Sequence, residues 1–272
     1  MIDSFFTIGH SHHVCQDYVF HNNDYVILSD GCSGVADSDF GSRILAKSAE
    51  IIMKSGISIE EEDFGKKVIS KATAIANEMS LPSHSLAATL LIAVRHENSI
   101  KTYLAGDGVI AARNKAGYIV YHVFNSDYSA PFYLEYLTNP SSKIEYIDKF
   151  GKVINQKDYL LLPDNVTKML GKTYMPCDMP IHMEFSDSEF DLVAIMSDGF
   201  LSFLEDIKTE TSKTTKPVDL SLILRELFDF KNYTKGFLKR RCQIAFRKFA
   251  EKQWKNYDDF SIGIIKNREA AE

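Results

Sequence analysis

Aspartates that end apolar runs carry the reactive chemistry of this sequence. Tyr25-Val26-Ile27-Leu28 leads into Ser29-Asp30-Gly31-Cys32-Ser33-Gly34, and Leu192-Val193-Ala194-Ile195-Met196 leads into Ser197-Asp198-Gly199-Phe200. Each reads as a strand that stops on Ser-Asp-Gly, where glycine lets the backbone turn sharply and approach whatever the carboxylate holds. Asp17, Asp107 and the pair Asp258-Asp259 occupy similar strand ends or turns. One such aspartate is an ordinary turn residue. Two copies of the motif, far apart in sequence, suggest neighbouring strands that deliver carboxylates to one point. Four carboxylates ~5 Å apart would repel by roughly 3 kcal/mol per pair at an effective dielectric of ~20. Over about six pairs, that exceeds the ~5–15 kcal/mol stability of an ordinary domain. Convergence therefore calls for divalent cations, and hard oxygen ligands suit Mg²⁺ or Mn²⁺ rather than zinc.

The elements that must position these acids follow from periodicity. Residues 5–8, 18–20 and 25–28 are expected as short strands, with Gly9-His10-Ser11-His12-His13 a loop between the first two. Helical spacing runs through 42–55, with Gly41 just before it, and through 59–79, whose start (Glu60, Glu61, Glu62, Asp63) matches the helix dipole. Residues 87–94, 102–105, 109–112 and 118–124 predict an antiparallel meander. Residues 127–191 are less regular, with isolated strand-like pieces such as 159–162, and predict loops and an inserted lobe, or flap, over one end of a sheet. The polar run 208–216 predicts a mobile loop, 218–230 and 235–254 predict helices, and 260–265 a closing strand. Runs of strands and runs of helices, rather than strict alternation, predict an α+β layered fold. No Gly/Ser-rich linker interrupts the chain, so 1–267 is expected to be one domain and 268–272 a tail.

Composition narrows the function classes. The chain has 272 residues, 45% of them hydrophobic and 25% charged, as in an ordinary soluble protein with a sizeable core. Its net charge of −6 argues against a nucleic-acid partner. Met1-Ile2-Asp3-Ser4 does not open a secretory leader, and no apolar run approaches the ~20 residues of a bilayer span. Cys15, Cys32, Cys177 and Cys242 are scattered without a Cys-x-x-Cys pair, so a reduced, cytoplasmic protein is expected. The sequon-like Asn165-Val166-Thr167 and Asn232-Tyr233-Thr234 are then chance matches. Gly171-Lys172-Thr173 is not the end of a P-loop, because Val166 stands where its first glycine is needed. Lys239, Arg240, Arg241, Arg247, Lys248, Lys252 and Lys255 give the last helix a basic face, expected to be solvated, opposite a core stripe of Leu238, Cys242, Ala245 and Phe249.

Seven stations occur in order along the chain: Cys15-Gln16-Asp17, Ser29-Asp30-Gly31-Cys32-Ser33-Gly34, Gly41-Ser42-Arg43, Ser85-Leu86-Ala87-Ala88-Thr89, Gly106-Asp107-Gly108, Ser197-Asp198-Gly199-Phe200 and Asp258-Asp259-Phe260-Ser261. In order and rough spacing the chain resembles the metal-dependent type 2C protein phosphatases, the PPM family, and especially a bacterial branch whose first motif is Cys-Gln-Asp. The resemblance implies a four-layer α/β/β/α sandwich, two central antiparallel sheets flanked by helices, with two Mg²⁺ or Mn²⁺ ions at one end. It makes Asp30 the bridging ligand, the Gly31 carbonyl a ligand of the second ion, and Asp198 and Asp258 ligands of the first. Asp17 would hold metal-bound water, and Asp107 resembles the residue that helps recruit a third ion.

The activity implied is hydrolysis of phosphoserine and phosphothreonine in proteins by a hydroxide bridging the two ions. No protein nucleophile is needed, and the sequence offers none. Phosphorylated proteins, opposite a Ser/Thr kinase, are the expected partners, and a monomer the expected state. Three departures stand out. His12 and His13 occupy the loop where members commonly carry a phosphate-gripping arginine, and a histidine there could donate a hydrogen bond or act as general acid. Gln16 replaces a glutamate that orients metal-bound water in many members. Cys32 replaces a histidine of the animal members. A pseudophosphatase that binds without catalysis, or a phosphatase of small metabolites, are the alternatives on the same fold.

Overall fold

Val26 and Leu28 face one apolar layer while Ile27, between them, faces another. A strand divides two layers in this way because its side chains alternate with a period of two. The computed structural model describes residues 1–126, 128, 130–164, 166–208 and 213–267. In chain order the elements are β1 (Ile2–Thr7), β2 (Asp17–His21), β3 (Tyr25–Asp30), α1 (Ser38–Lys54), α2 (Phe64–Glu78), β4 (Leu90–His96), β5 (Ser99–Ala105), β6 (Gly108–Asn114) and β7 (Ile119–Asn125). There follow α3 (Pro140–Phe150), β8 (Val153–Leu161), β9 (Thr167–Pro176), β10 (Ile181–Ser186), β11 (Phe190–Met196), β12 (Phe203–Lys208), β13 (Lys213–Pro217), α4 (Leu220–Phe228), α5 (Phe237–Glu251), β14 (Trp254–Asn256) and β15 (Phe260–Lys266).

One sheet has seven strands in the order β1-β15-β11-β6-β7-β8-β9, a second has five in the order β10-β5-β4-β3-β2, and β13-β12-β14 make a small third. Every strand pairing among the described residues is antiparallel. The two large sheets meet across Val26, Leu28, Leu91, Ile110, Val193 and Ile195. On the outer face of the five-stranded sheet, Leu45 of α1 and Phe64, Val68 and Ile69 of α2 pack on Ile27 and Ile92. On the outer face of the other, Leu224 and Leu227 of α4 and Leu238 and Phe249 of α5 pack around Ala194, Met196 and Ile262. Full burial of each large apolar side chain contributes about 1.5–3 kcal/mol, so all three layers resist sliding. The result is the α+β, four-layer α/β/β/α sandwich expected from sequence.

Several expected boundaries shift for local reasons. Helix α1 begins at Ser38, with Gly41 inside its first turn. A Cβ on Gly41 would sit 1.6 Å from the Ser85 carbonyl oxygen, so this glycine serves close packing rather than a helix stop. Helix α2 begins only at Phe64. The acids before it close a turn of their own, in which Glu61 N donates to the Ser58 carbonyl and Ser58 N to Glu61 Oε1.

Residues 127–191 are more regular than expected. They hold α3, a β8–β9 hairpin that extends the seven-stranded sheet, and β10, which joins the edge of the other sheet. Strand β9 is largely exposed on both faces, so it carries no alternation in sequence and is held by its ladder to β8. Likewise the polar run predicted as a loop supplies β13, paired to β12, with side chains that leave no apolar signal. Residues 209–212 of that run, the tail 268–272, Asp127 and Asn165 lie outside the described residues. Arg241 is not on a solvated face: it is buried and pairs with Glu226 at 2.5 Å and Asp229 at 3.3 Å.

Candidate active site

Strand register places the first two acids. Asp17 opens β2 and Asp30 ends β3, and the antiparallel pairing sets them opposite each other. The end of β3 is fastened to the segment before β4: Ser29 Oγ donates to the Thr89 carbonyl (2.7 Å), and Thr89 N donates to the Asp30 carbonyl (2.8 Å). Gly31 continues this contact as an isolated bridge to Ala88.

The second Ser-Asp-Gly is fastened by its own serine. Ser197 Oγ donates to Asp17 Oδ2 (2.8 Å) and accepts from Ser261 N (3.0 Å). One hydroxyl thus joins β2 of the five-stranded sheet to β15 of the seven-stranded one. Asp198 then opens a single 3₁₀ turn, Asp198–Leu201. A Cβ on Gly199 would lie 1.7 Å from the Asp259 carbonyl oxygen, so only glycine lets this turn pass the Asp258-Asp259 backbone. Asp107 lies in the connection between β5 and β6, where the chain passes from one sheet to the other.

Asp258 and Asp259 divide their roles. Asp259 is buried and accepts hydrogen bonds from Gly9 N (2.7 Å) and Gln16 N (2.6 Å), pinning both ends of the 9–16 loop. His12 sits between the two acids, its Nδ1 3.1 Å from Asp259 Oδ2 and its Nε2 3.4 Å from Asp258 Oδ1. The Gln16 side-chain amide donates to the Cys32 carbonyl (3.2 Å) and to Ser38 Oγ (2.5 Å).

Asp30, Asp107, Asp198 and Asp258 line one cleft of about 260 Å³, together with Gly31, Cys32, Pro131 and Tyr133. Asp17 is fully buried and is not part of that lining. His12 is half-buried and His13 exposed, and neither lines the cleft. All five expected metal-binding positions are therefore brought together, while the two histidines stand outside.

The electrostatics are those of an acid cluster short of positive charge. Burial, then the charges of Asp17 and Asp198, hold the Asp30 carboxyl well above the usual range. Burial, then Asp198 and Asp258, do the same to Asp107, and burial, then Asp198, raise Asp258. Burial pushes Asp17 up to about 7 even though Asp30, Ser261 and Ser197 beside it act the other way. Asp17 Oδ1 is buried with no hydrogen-bond partner among the described residues.

Among the described residues, no three acidic, imidazole or thiol groups meet as a finished metal-binding group. The acids surround a space instead. Their donor set is all oxygen, and they are too crowded to ionise together without cations, so the residues present fit Mg²⁺ or Mn²⁺. Burial pushes the Cys15 thiol up to about 12, so it does not offer a competing nucleophile.

Sequence reasoning gives Ser197 and Asp259 within their motifs without a role of their own, and places Pro131 and Tyr133 in the flap, as substrate access or as packing alike. For the first two a signal existed, in the repeated serine before Asp-Gly and the doubled aspartate. Pro131 and Tyr133 reach the cleft only through tertiary folding.

The family model described as Protein phosphatase 2C matches residues 9–232. That span includes Asp17, Asp30, Asp107 and Asp198 and stops short of Asp258. No curated protein sequence matches the chain. Among solved structures, a bacterial serine phosphatase is similar at TM-score 0.58 and 15% identity, covering 100% of this chain and 99% of that one. Serine/threonine phosphatase Stp1 from Staphylococcus aureus is similar at TM-score 0.55 and 15% identity, over 98% and 95% of the two chains. The catalytic domain of serine threonine protein phosphatase PstP, in complex with 2 manganese ions, is similar at TM-score 0.52 and 12% identity, over 97% and 96%. At such identities the likeness is one of fold.

Proposed function

The chain belongs to the protein phosphatase 2C family and is by that membership a protein serine/threonine phosphatase; from this premise we propose that it hydrolyses phosphoserine and phosphothreonine in proteins with two divalent cations held at the acidic cleft. The observation that carries this reading is the meeting of Asp30, Asp107, Asp198 and Asp258, from four separate stretches of sequence, around one space. The manganese in the similar PstP structure supports the choice of cation.

Asp30 would hold both ions, with the Gly31 carbonyl on the second and Asp198 and Asp258 on the first. Asp107 would serve a further ion. When bound, such cations would supply Lewis acidity, lowering the pKa of water and screening the charge of a phosphate monoester. The chain's own part is positioning. Ser197 fixes the Asp17 carboxylate, which would orient the attacking water. The Gly199 turn and the Asp259 clamp fix Asp198 and Asp258. Pro131 and Tyr133 bring apolar surface to the cleft, which strengthens every charge interaction inside it. His12, beside Asp258 and Asp259, would keep Asp258 in place, and His13, outside the cleft lining, is given no part in gripping phosphate.

The same reading takes residues 1–267 as a single catalytic domain with 127–191 as its flap, acting as a monomer in the cytoplasm against a Ser/Thr kinase. No helix among the described residues is long and apolar enough to cross a membrane.

The test is phosphate release from a phosphoserine peptide with Mn²⁺ or Mg²⁺, comparing wild type with Asp30→Asn and Asp198→Asn. Turnover by either variant at the wild-type rate removes the mechanism. One observation favours a non-catalytic binding module instead: the Gln16 side chain is tied to Cys32 and Ser38, leaving no carboxylate at that position. A natively folded protein inert with both metals would select it.

A further inference from the structure

Residues 131–134 form a thin wall with a cavity on each side. Tyr133 is extended, with φ −84° and ψ 151°, and neighbouring side chains of an extended chain point opposite ways. Accordingly Pro131 and Tyr133 line the acidic cleft, whereas Phe132 and Leu134 line a second cavity of about 290 Å³. That size suits one ring system and lies at the small end of ligand pockets.

The second cavity has an apolar interior and one unused polar group. Tyr103 is 1% exposed and lines it, and its hydroxyl is buried with no hydrogen-bond partner among the described residues. A Cβ on Gly65, also in the lining, would come within 2.7 Å of that hydroxyl, so the glycine leaves it room. Phe64 and His182 meet the Tyr103 ring edge to face, which fixes the ring's direction. Buried hydroxyls are rarely left unpaired, and the missing partner is to be sought in an occupant of the cavity. Two lysines and two acids border the space, Lys66 and Lys143 with Glu62 and Asp178, and Lys143 pairs with Asp178 at 2.7 Å. Their charges cancel, so nothing selects a charged ligand.

We propose that this cavity binds a neutral aromatic ring carrying a hydroxyl group, and that the occupant shifts the 131–134 wall and with it Tyr133 in the acidic cleft. A hydroxyl can both donate to and accept from Tyr103, and the ring replaces the cavity's apolar contacts with packed ones. The ring comes either from a free small phenol or from a tyrosine of the phosphoprotein substrate. The coupling half rests on the phosphatase reading above; the binding half does not.

The probe is p-cresol, followed by saturation-transfer NMR and crystal soaking on wild type, Tyr103→Phe and Leu137→Trp, the last of which fills the cavity. The expected result is p-cresol beside Tyr103, bound about fivefold more weakly by Tyr103→Phe and not at all by Leu137→Trp. No binding to wild type, or equal binding to wild type and Tyr103→Phe, overturns the site, and this comparison stands even if Leu137→Trp does not fold. It uses no catalysis, so it holds whether or not the protein turns over phosphopeptides. In the second arm, p-cresol is expected to change KM for a phosphoserine peptide by about twofold or more in wild type. An occupied cavity with unchanged kinetics overturns the coupling. Competition with a tyrosine-containing phosphopeptide, but not with its alanine counterpart, identifies the substrate as the source of the ring; an equal effect on both identifies a free phenol.

Discussion

Asp17 and Asp30 face each other across the β2–β3 ladder, one fully buried and the other at the cleft that it shares with Asp107, Asp198 and Asp258. Side chains directly opposite in an antiparallel pair are close neighbours, and like charges there are destabilising. The arrangement makes sense only if something other than the protein supplies positive charge.

A pH dependence of the cation-free protein follows. The Asp17 carboxyl stands at about 7 when folded against an ordinary 3.8, because burial disfavours its charged form. Between those two values the folded protein binds more protons than the unfolded chain, so stability falls as pH rises through that window. Asp30, Asp107 and Asp258 are raised as well and act in the same direction. In EDTA, the urea midpoint is expected to drop between about pH 4 and pH 7, and saturating MnCl₂ to restore it by preferential binding to the folded state. A midpoint that climbs over this range in EDTA would contradict the acid cluster.

His12 touches Asp258 and Asp259 rather than lining the cleft. Removing a group that orients a metal-binding carboxylate typically costs 10–100-fold in metal affinity. His12→Ala is therefore expected to raise the Mn²⁺ concentration for half-maximal phosphate release by about that factor, with KM for peptide little altered. A raised KM at unchanged Mn²⁺ demand would return His12 to gripping phosphate.

Ser197→Ala removes a hydroxyl that both donates to Asp17 and accepts from Ser261 N. The Ser261 amide is then left buried without that partner, at a cost of about 1–3 kcal/mol. Urea unfolding in MnCl₂ should report this loss, together with weaker Mn²⁺ binding because Asp17 is no longer held. A variant as stable as wild type would show that the link between the sheets does not depend on this hydroxyl.

Gly199→Ala sets a methyl group 1.7 Å from the Asp259 carbonyl oxygen, backbone against backbone. Neither side can yield cheaply, and a loss above about 4 kcal/mol is expected. Gly34→Ala is the control, since its nearest neighbour to a new Cβ is Cys32 Sγ at 4.0 Å. Thermal melts of the two should differ by roughly 10 °C or more. Equal melts would mean the Asp198 turn does not pass so close to Asp259.

Residue order alone was enough to read the layered α+β class, the strand ends that carry acids, and the kind of ion those acids suit. It could do so because each signal is local: alternation within a strand, a serine and a glycine flanking an aspartate, apolar residues at helical spacing. Which acids meet depends on the folded chain. Asp17 faces Asp30 through a ladder register, Ser197 reaches Asp17 across two sheets, and His12 lies between Asp258 and Asp259, contacts separated by 180 or more residues in two of these cases. The β8–β9 hairpin was legible only in the strand-like piece 159–162, for a related reason. Strand β9 is largely exposed and is held by its backbone ladder to β8, which leaves no mark on residue type. The wall at 131–134 was equally hidden, since an extended segment acquires two faces of different chemistry only when the fold puts a different cavity on each.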